Sequence, residues 1–166
     1  NNYKLPSVTI PNDVVIDGSG YTISNIHLIN QTALFDVNNG TIKNLIINNS
    51  GSYQSVNKGS QAILVNVNNG TISRALINAD VEFVTYNANA TVNNIEIGGI
   101  VSVNSNLIEK SKFAGNINAY ANQFDSLTIG GLVSKVIAGN VEQSYTEANI
   151  TVVGNANKLY VGSFVG

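Results

Sequence analysis

The pentapeptide NNGTI occurs twice, at residues 38–42 and 68–72, and each copy lies inside a longer unit that recurs along the chain. Self-similarity at a spacing of a few tens of residues is typical of stacked repeats rather than of an ordinary globular core. An apolar position of the unit recurs at spacings of 19, 30, 36 and 33 residues, and its members are Ile23, Ile42, Ile72, Ile108 and Val141. The repeat therefore decides the fold.

A second apolar block precedes each turn and reads ALFDV, ILVNV, GIVSV and GLVSK, with VGSFVG at residues 161–166 as a fifth copy. Its two columns are Leu34, Leu64, Ile100, Leu132, Phe164 and Phe35, Val65, Val101, Val133, Val165. After the turn, further inward positions follow the Ile42 column at three and at five residues. Short Ile- and Val-rich segments bounded by Gly and Asn predict strands, and the odd step of three predicts a corner between them.

The simplest solid that these units build is a parallel β-helix, in which each unit forms one coil and like residues stack on like. We predict an all-β, right-handed β-solenoid of about five coils, because parallel crossovers strongly prefer that hand. The spacing leaves four variable inserts, at residues 49–61, 79–96, 115–128 and 149–160, which we expect to be loops or extra strands on one side of the stack.

The chain has 166 residues, which suits a single domain spanning residues 1–166. Residues 1–20 carry both prolines and are expected to form an entry strand or cap, and residues 21–166 the stacked repeats. The chain does not begin with Met and stops inside a repeat, so we expect a fragment of a longer protein. Asn accounts for 28 residues, which favours tight corners and stacked amide ladders.

Charged residues make up only 11% of the chain and the net charge is −2, so the sequence offers no basic stripe for a nucleic-acid backbone. There is no cysteine, which removes thiolate ligands for a metal. No apolar run is long enough for a transmembrane helix, so no direct membrane insertion is expected of this segment. No cofactor is predicted.

The stretches VVIDGSGYTISNIHLIN and ALFDVNNGTIKNLIINN resemble the opening of the non-catalytic N-terminal region of bacterial immunoglobulin-A metallopeptidases. GGIVSVNSNLIEKS and GGLVSKVIAGNVEQSYTEANI resemble the GLUG repeat, and the resemblance covers roughly residues 13–166. Ser and Lys follow Val133 where the repeat usually has Gly, and Arg74 and Gln143 stand where Asn is usual. The resemblance implies a β-solenoid, as in related surface adhesins, and extracellular display on a bacterium. The family's zinc site belongs to another domain.

The single histidine, His27, is expected to point outward from its strand, and no catalytic residue is predicted. One His and no Cys make a protein-only zinc site implausible, so no metal site is predicted. Structural calcium is a weaker alternative, since Asn12, Asp13 and Asp17 cluster near a Gly-rich turn.

Parallel β-helices also include enzymes that cleave polysaccharides, and these need paired acids, or acids with a cation, on one face. The best candidates are Glu109 and Glu142 with Lys43, beside a column of Arg74, Lys110 and Gln143. We expect a solvated outer face there rather than an active site.

Aromatic side chains in the inserts are the candidate binding residues, because such rings stack on sugars or anchor a protein partner. We favour the alternative that they pack over their own segments. The candidates are Tyr53, Tyr86, Tyr120 and Phe124.

The pattern favours a non-enzymatic solenoid module of a bacterial cell-surface or secreted protein, acting as a stalk or adhesion domain that presents loops to host ligands. Its partners would be a host protein or glycan and the rest of its own chain. The alternatives are an accessory region of a secreted metallopeptidase and, less favoured, a polysaccharide-active enzyme. An ice-binding solenoid would need an aligned Thr array, which the outward Thr residues do not form.

Overall fold

A computed structural model describes residues 8–26, 28, 31–57, 60–86 and 94–166. Side chains are described for these residues except 50–57, 85–86 and 121–123. The described chain is all-β, and its strands run parallel in three sheets stacked as a β-solenoid. The fold class predicted from the repeat is confirmed, while the right-handed sense of the coil stays a prediction.

Each turn contributes a short strand to each of two five-stranded sheets and a longer one to a third. Sheet A is formed by β1 (Thr9–Ile10), β4 (Phe35–Asn38), β8 (Val65–Asn68), β12 (Val101–Asn104) and β15 (Val133–Val136). Sheet B is formed by β2 (Val15–Asp17), β5 (Thr41–Lys43), β9 (Thr71–Ser73), β13 (Leu107–Glu109) and β16 (Val141–Glu142). Sheet C is formed by β3 (Thr22–Ile23), β6 (Ile46–Asn57), β7 (Gln61–Ala62), β10 (Leu76–Tyr86), β11 (Asn94–Gly98), β14 (Lys112–Gly130) and β17 (Tyr145–Gly162).

The apolar columns of the repeat form the core. Ile42, Ile72 and Ile108 are vertical neighbours in β5, β9 and β13, and all three are fully buried. The column of sheet A is confirmed as well, because Phe35, Val65, Val101, Val133 and Val165 pair in succession. Burying aliphatic side chains in this way stabilises the stack by roughly 25 cal/mol per Å² of apolar area.

The prediction is wrong in the first turn and slightly wrong in the number of turns. Ile16, not Ile23, stacks on Ile42, while Ile23 pairs with Ile47 in sheet C. The first spacing is therefore 26 residues, because residues 18–21 insert an additional turn in which Tyr21 N–H donates to the Gly18 carbonyl at 2.8 Å. Within the segment predicted as an entry strand or cap, Thr9–Ile10 and Val15–Asp17 form the first strands of sheets A and B. The solenoid has about four turns rather than five.

The variable inserts continue sheet C as strands. Residues 115–128 lie within β14, and residues 149–160 lie within β17. The first parts of the other two inserts belong to β6 and β10, and residues 94–96 begin β11; residues 58–59 and 87–93 lie outside the described range. Alternating residues such as Ile117 and Ala119 point inward and are buried. The extra-strand alternative is thus the one that the described residues adopt.

The odd three-residue step of the repeat is a left-handed corner between sheets B and C. Asn44, Arg74, Lys110 and Gln143 have φ of 53°, 54°, 50° and 49°. This region costs a non-glycine residue about 1–2 kcal/mol, and Asn tolerates it best. The corner explains why the residues on either side of it, such as Ile72 and Ala75, both point into the core.

Asparagines at the ends of β4, β8 and β12 form a buried ladder through the stack. Asn38 Nδ2 donates to Asn68 Oδ1 at 2.7 Å, and Asn68 Nδ2 donates to Asn104 Oδ1 at 2.7 Å. The Nδ2 groups of Asn68 and Asn104 also donate to turn carbonyls two residues on, at 3.0 and 2.7 Å. The ladder that the Asn-rich composition suggests is confirmed, and it fixes the turn between sheets A and B.

Glycine pairs form the corner that leads back into sheet A. Gly98, Gly130 and Gly162 stack in one column, whose first member is Ala62. A Cβ built on Gly130 would lie 1.7 Å from the carbonyl oxygen of Val133. The repeated glycine therefore reflects a close approach of two backbone segments.

Candidate functional site

The outer side of sheet C carries an open groove of about 430 Å³, which we call the outer groove. The parallel register builds it from two outward columns on β6, β10, β14 and β17. The first column is Ile46, Leu76, Lys112 and Tyr145; the second is Asn48, Asn78, Ala114 and Glu147. The groove thus combines an apolar and aromatic stripe with amide and charged groups.

The apolar stripe is accessible. Leu76 is 43% exposed, the Tyr145 side chain is 52% exposed, and Ile46 is half-buried. These side chains occupy the position between two inward residues, so the same backbone that seals the core presents them to solvent. Leu76 lies on β10, which is hydrogen-bonded to β6 and β14, and Tyr145 lies on β17, which is hydrogen-bonded to β14. The stripe is therefore held on a sheet rather than on a loop.

Three side chains form a charged cluster at one end of the groove. Lys112 Nζ lies 2.7 Å from Glu147 Oε2 and 4.9 Å from the centre of the Tyr145 ring. The hydrogen bond from Lys112 to Glu147 raises the pKa of the lysine. A cation over an aromatic face adds attraction that fixes the ring. The cluster can donate and accept hydrogen bonds while Tyr145 offers a flat surface.

The four aromatic candidates do not meet in one place that the structure describes. Tyr120 is 40% exposed, next to Val84 and Val153 in the adjoining strands of sheet C. Phe124 is only 3% exposed and packs in the core, which removes its ring from the surface. Tyr53 and Tyr86 have backbones in β6 and β10, and their side chains lie outside the described residues.

The acidic candidates of the enzyme alternative lie on the outer face of sheet B. Glu109 and Glu142 pair across β13 and β16, in the column that begins with Asp17, Lys43 and Ser73. The two expected columns are confirmed, since Arg74 N–H donates to the Glu109 carbonyl and Lys110 N–H to that of Glu142.

These carboxylates are engaged by neighbouring groups. Ser73 Oγ donates to Glu109 Oε1 at 2.8 Å, and Lys110 Nζ lies 3.6 Å from Glu109 Oε2. The serine hydrogen bond, helped by Lys110 and Arg74, lowers the pKa of Glu109. Asn140 Nδ2 donates to Glu142 Oε1 at 2.8 Å. A proton donor for glycoside cleavage would need a raised pKa instead.

Of the three calcium candidates, two are exposed to solvent and the third is engaged by residues of the first turns. Asn12 and Asp13 are exposed, whereas the Asp17 carboxylate accepts from Ser19 N–H at 2.8 Å and Asn44 Nδ2 at 3.0 Å and lies 3.3 Å from Lys43 Nζ. Within the described ranges, no group of three or more His, Cys, Asp and Glu side chains is placed to hold a metal ion. His27 lies outside the described residues.

Over the portion of the chain that the structure describes, no helix has the length and apolarity needed to cross a bilayer. Comparison with protein families, with curated proteins and with solved structures gives no match to this chain. The candidate site is therefore defined by its own geometry.

Proposed function

We propose that this chain is a non-enzymatic β-solenoid module of a bacterial cell-surface or secreted protein, serving as a stalk and as an adhesion domain. The observation that carries the proposal is the outer groove, an exposed Leu76–Tyr145 stripe with a Lys112–Glu147 pair on a rigid sheet. Adhesion needs such a preorganised surface, because side chains that are already ordered lose little entropy on binding.

The scaffold supports the stalk role. Each turn contacts its neighbours through hydrogen-bonded strands, aliphatic columns and the asparagine ladder, so turns add length without needing a new core. The display surface is the face of sheet C rather than the predicted loops, since the described parts of the inserts are strands. The partner proposed for this face is a host glycan or protein.

The resemblance to GLUG repeats and to immunoglobulin-A metallopeptidases supports the same extracellular setting. The columns Ile42–Ile72–Ile108 and Phe35–Val65–Val101 carry the repeat in the sequence and stack in the fold. An accessory role in a secreted metallopeptidase is the variant of this proposal that the resemblance adds. A zinc-binding His-Glu-x-x-His motif elsewhere in the natural polypeptide would support that variant, and a natural polypeptide without one would reject it.

Binding of the isolated chain to a glycan array and to immobilised extracellular-matrix proteins tests the adhesion role. Tyr145→Ala is expected to weaken binding at least about tenfold, the usual effect of truncating an aromatic anchor. Tyr21→Ala is the matched control, because Tyr21 is also an exposed tyrosine but lies on the first turn, outside the groove. Equal losses for the two variants, or no binding by the parent chain, would reject the outer groove as an adhesion site.

A further inference from the structure

The outer groove runs along the direction in which the turns stack. Each of the strands β6, β10, β14 and β17 contributes one residue to each of its two outward columns. Neighbouring strands are about 4.8 Å apart, so the groove repeats at that interval over roughly 14 Å. An extended peptide places side chains on one face only about every 6.8 Å, whereas the length of one pyranose ring in an extended β-linked sugar chain is close to one strand spacing. The period of the groove therefore matches a sugar chain rather than a peptide strand.

Each strand of the groove places an apolar side chain or ring beside a polar side chain. On β6 the pair is Ile46 and Asn48, and on β10 it is Leu76 and Asn78. The other two pairs are Lys112 with Ala114 and Tyr145 with Glu147. A pyranose ring has a face of C–H groups and an edge of hydroxyls, and sites for such ligands combine apolar walls with a few polar groups that fix orientation. One pair of side chains thus suits one ring.

The two asparagines of the groove differ from the asparagines of the next outward column. There, Asn149 Nδ2 donates to Asn116 Oδ1 at 3.1 Å. Asn48 and Asn78 are also neighbours in register and both are exposed, yet among the described residues neither amide has a hydrogen-bond partner. Each amide offers two N–H donors and a carbonyl acceptor. These two groups are therefore available for hydroxyls of a ligand.

The lining of the groove has no net charge. Its charged groups are Lys112 and Glu147, which lie 2.7 Å apart. At the left-handed corner that borders the groove, Lys110 lies 3.6 Å from Glu109, and Arg74 is exposed. A sugar chain with a carboxylate on every ring would place several anions near Glu147, and like charges brought together oppose binding. The charge of the lining is thus complementary to an uncharged chain.

We propose that the outer groove binds an uncharged, extended, β-linked oligosaccharide, with one pyranose ring on each strand. The amides of Asn48 and Asn78 bind its hydroxyls, and Ile46, Leu76 and the exposed Tyr145 contact the C–H faces of its rings. This inference rests on the proposed adhesion role and specifies the class of its ligand.

Titration calorimetry with cellohexaose and chitohexaose, two neutral β-1,4-linked hexasaccharides, tests the ligand class. The controls have the same length: maltohexaose, whose α-linkages coil the chain, and a hexamer of β-1,4-linked mannuronate, which adds a carboxylate to every ring. At least one neutral β-linked probe is expected to bind about tenfold more tightly than either control. Failure of both neutral β-linked probes to bind, or equal or tighter binding of a control, would overturn the proposal.

Asn78→Ala tests the amide contacts. Asn78 is exposed on β10, which lies between β6 and β14, so the substitution is expected to leave the Tm unchanged. It should weaken binding of the neutral probe about three- to tenfold, the effect of losing neutral hydrogen bonds. Asn118→Ala is the matched control, because Asn118 is an asparagine on the same face of sheet C but outside the groove. Equal losses for the two variants would overturn the placement of the sugar.

The adhesion role and the ligand class fail in different ways. Binding to immobilised matrix proteins without binding to either neutral β-linked hexasaccharide would overturn the ligand class and leave adhesion standing. Absence of binding to matrix proteins, to the glycan array and to these hexasaccharides would reject both.

Discussion

The middle turns and the last turn of the solenoid contain similar residues in the same columns, but only the middle turns are covered on both sides. Ile108 is fully buried between Ile72 and Val141, whereas Val141 itself is partly exposed. Phe113 is buried as well, while Thr146, its partner in β17, is not. In a stacked fold the burial of a side chain depends on the turns above and below it, and the amino-acid type alone does not determine it.

The largest expected effect comes from truncating two side chains of the same column, one in a middle turn and one in the last turn. Ile108→Ala is expected to lower the free energy of unfolding by about 2–5 kcal/mol, because it opens a cavity between two packed turns. Val141→Ala should lower the free energy of unfolding by less than about 1.5 kcal/mol. The Val141 site is open on one side, and this substitution removes fewer atoms than Ile108→Ala does. Urea denaturation measures both values. Equal costs would mean that the last turn is as tightly packed as the middle.

The buried asparagine ladder can be compared with the exposed asparagine column next to it. Asn68→Ala removes both inter-turn bonds of the ladder. It leaves Asn104 Oδ1 without this donor and Asn38 Nδ2 with only the 3.4 Å bond to the Thr71 carbonyl. Each buried group without a partner costs about 1–3 kcal/mol. Asn69→Ala is the matched control, because Asn69 donates to Asn39 at 3.0 Å in an exposed position and should cost under about 1 kcal/mol. Thermal unfolding of the two variants measures both losses of stability. A larger loss for Asn69→Ala than for Asn68→Ala would contradict a stabilising role of the buried ladder.

The left-handed corner offers a smaller, stabilising change. Arg74→Asn places at the second corner the residue type that Asn44 supplies at the first, both with φ near 50°. We expect a gain of about 0.5–1 kcal/mol, because Asn adopts this conformation more readily than Arg. Gln143→Asn repeats the change in the last turn. A loss of stability at Arg74 would show that its side chain makes contacts that outweigh the backbone preference.

The smallest effect concerns pH and the first turn. Hydrogen bonds from Asn44 and Ser19, together with Lys43, lower the pKa of Asp17 from 3.8 to about 2. A carboxylate with a lowered pKa in the folded state stabilises the protein above its unfolded pKa, and that contribution is lost as the pH falls. Asp17→Asn should therefore lower the Tm at pH 7, and the difference should shrink between pH 3.8 and about 2. A pH-independent difference would point to packing instead.

The parts of the fold that recur along the sequence could be predicted from it. Ile42, Ile72 and Ile108 recur with their flanking residues, and the columns that they predict are present. The first turn was misaligned because the turn around Gly18 and Gly20 inserts extra residues before Ile23, and a single irregular copy leaves no second example for comparison. The inserts were ambiguous because loops and long strands satisfy the same spacing.

The outer groove was missed for a different reason. Ile46, Leu76, Lys112 and Tyr145 share one position of the repeat, four residues after the Ile42 column, but their side chains have little chemistry in common. The inward columns can be recognised because each repeats the same kind of side chain, whereas the residues that line the outer groove differ from turn to turn. The signal was the position itself, since a residue between two inward neighbours must point outward.

The parallel ladders also have a mechanical consequence. The hydrogen bonds that join β10 to β14 and β14 to β17 lie along the direction in which the turns stack. A force that pulls the two ends of the solenoid apart along this direction stretches these hydrogen bonds. The bonds between one pair of turns would break before those of the next pair, so the turns would separate one after another from an end inward. A tether built on this principle yields gradually and lengthens under load.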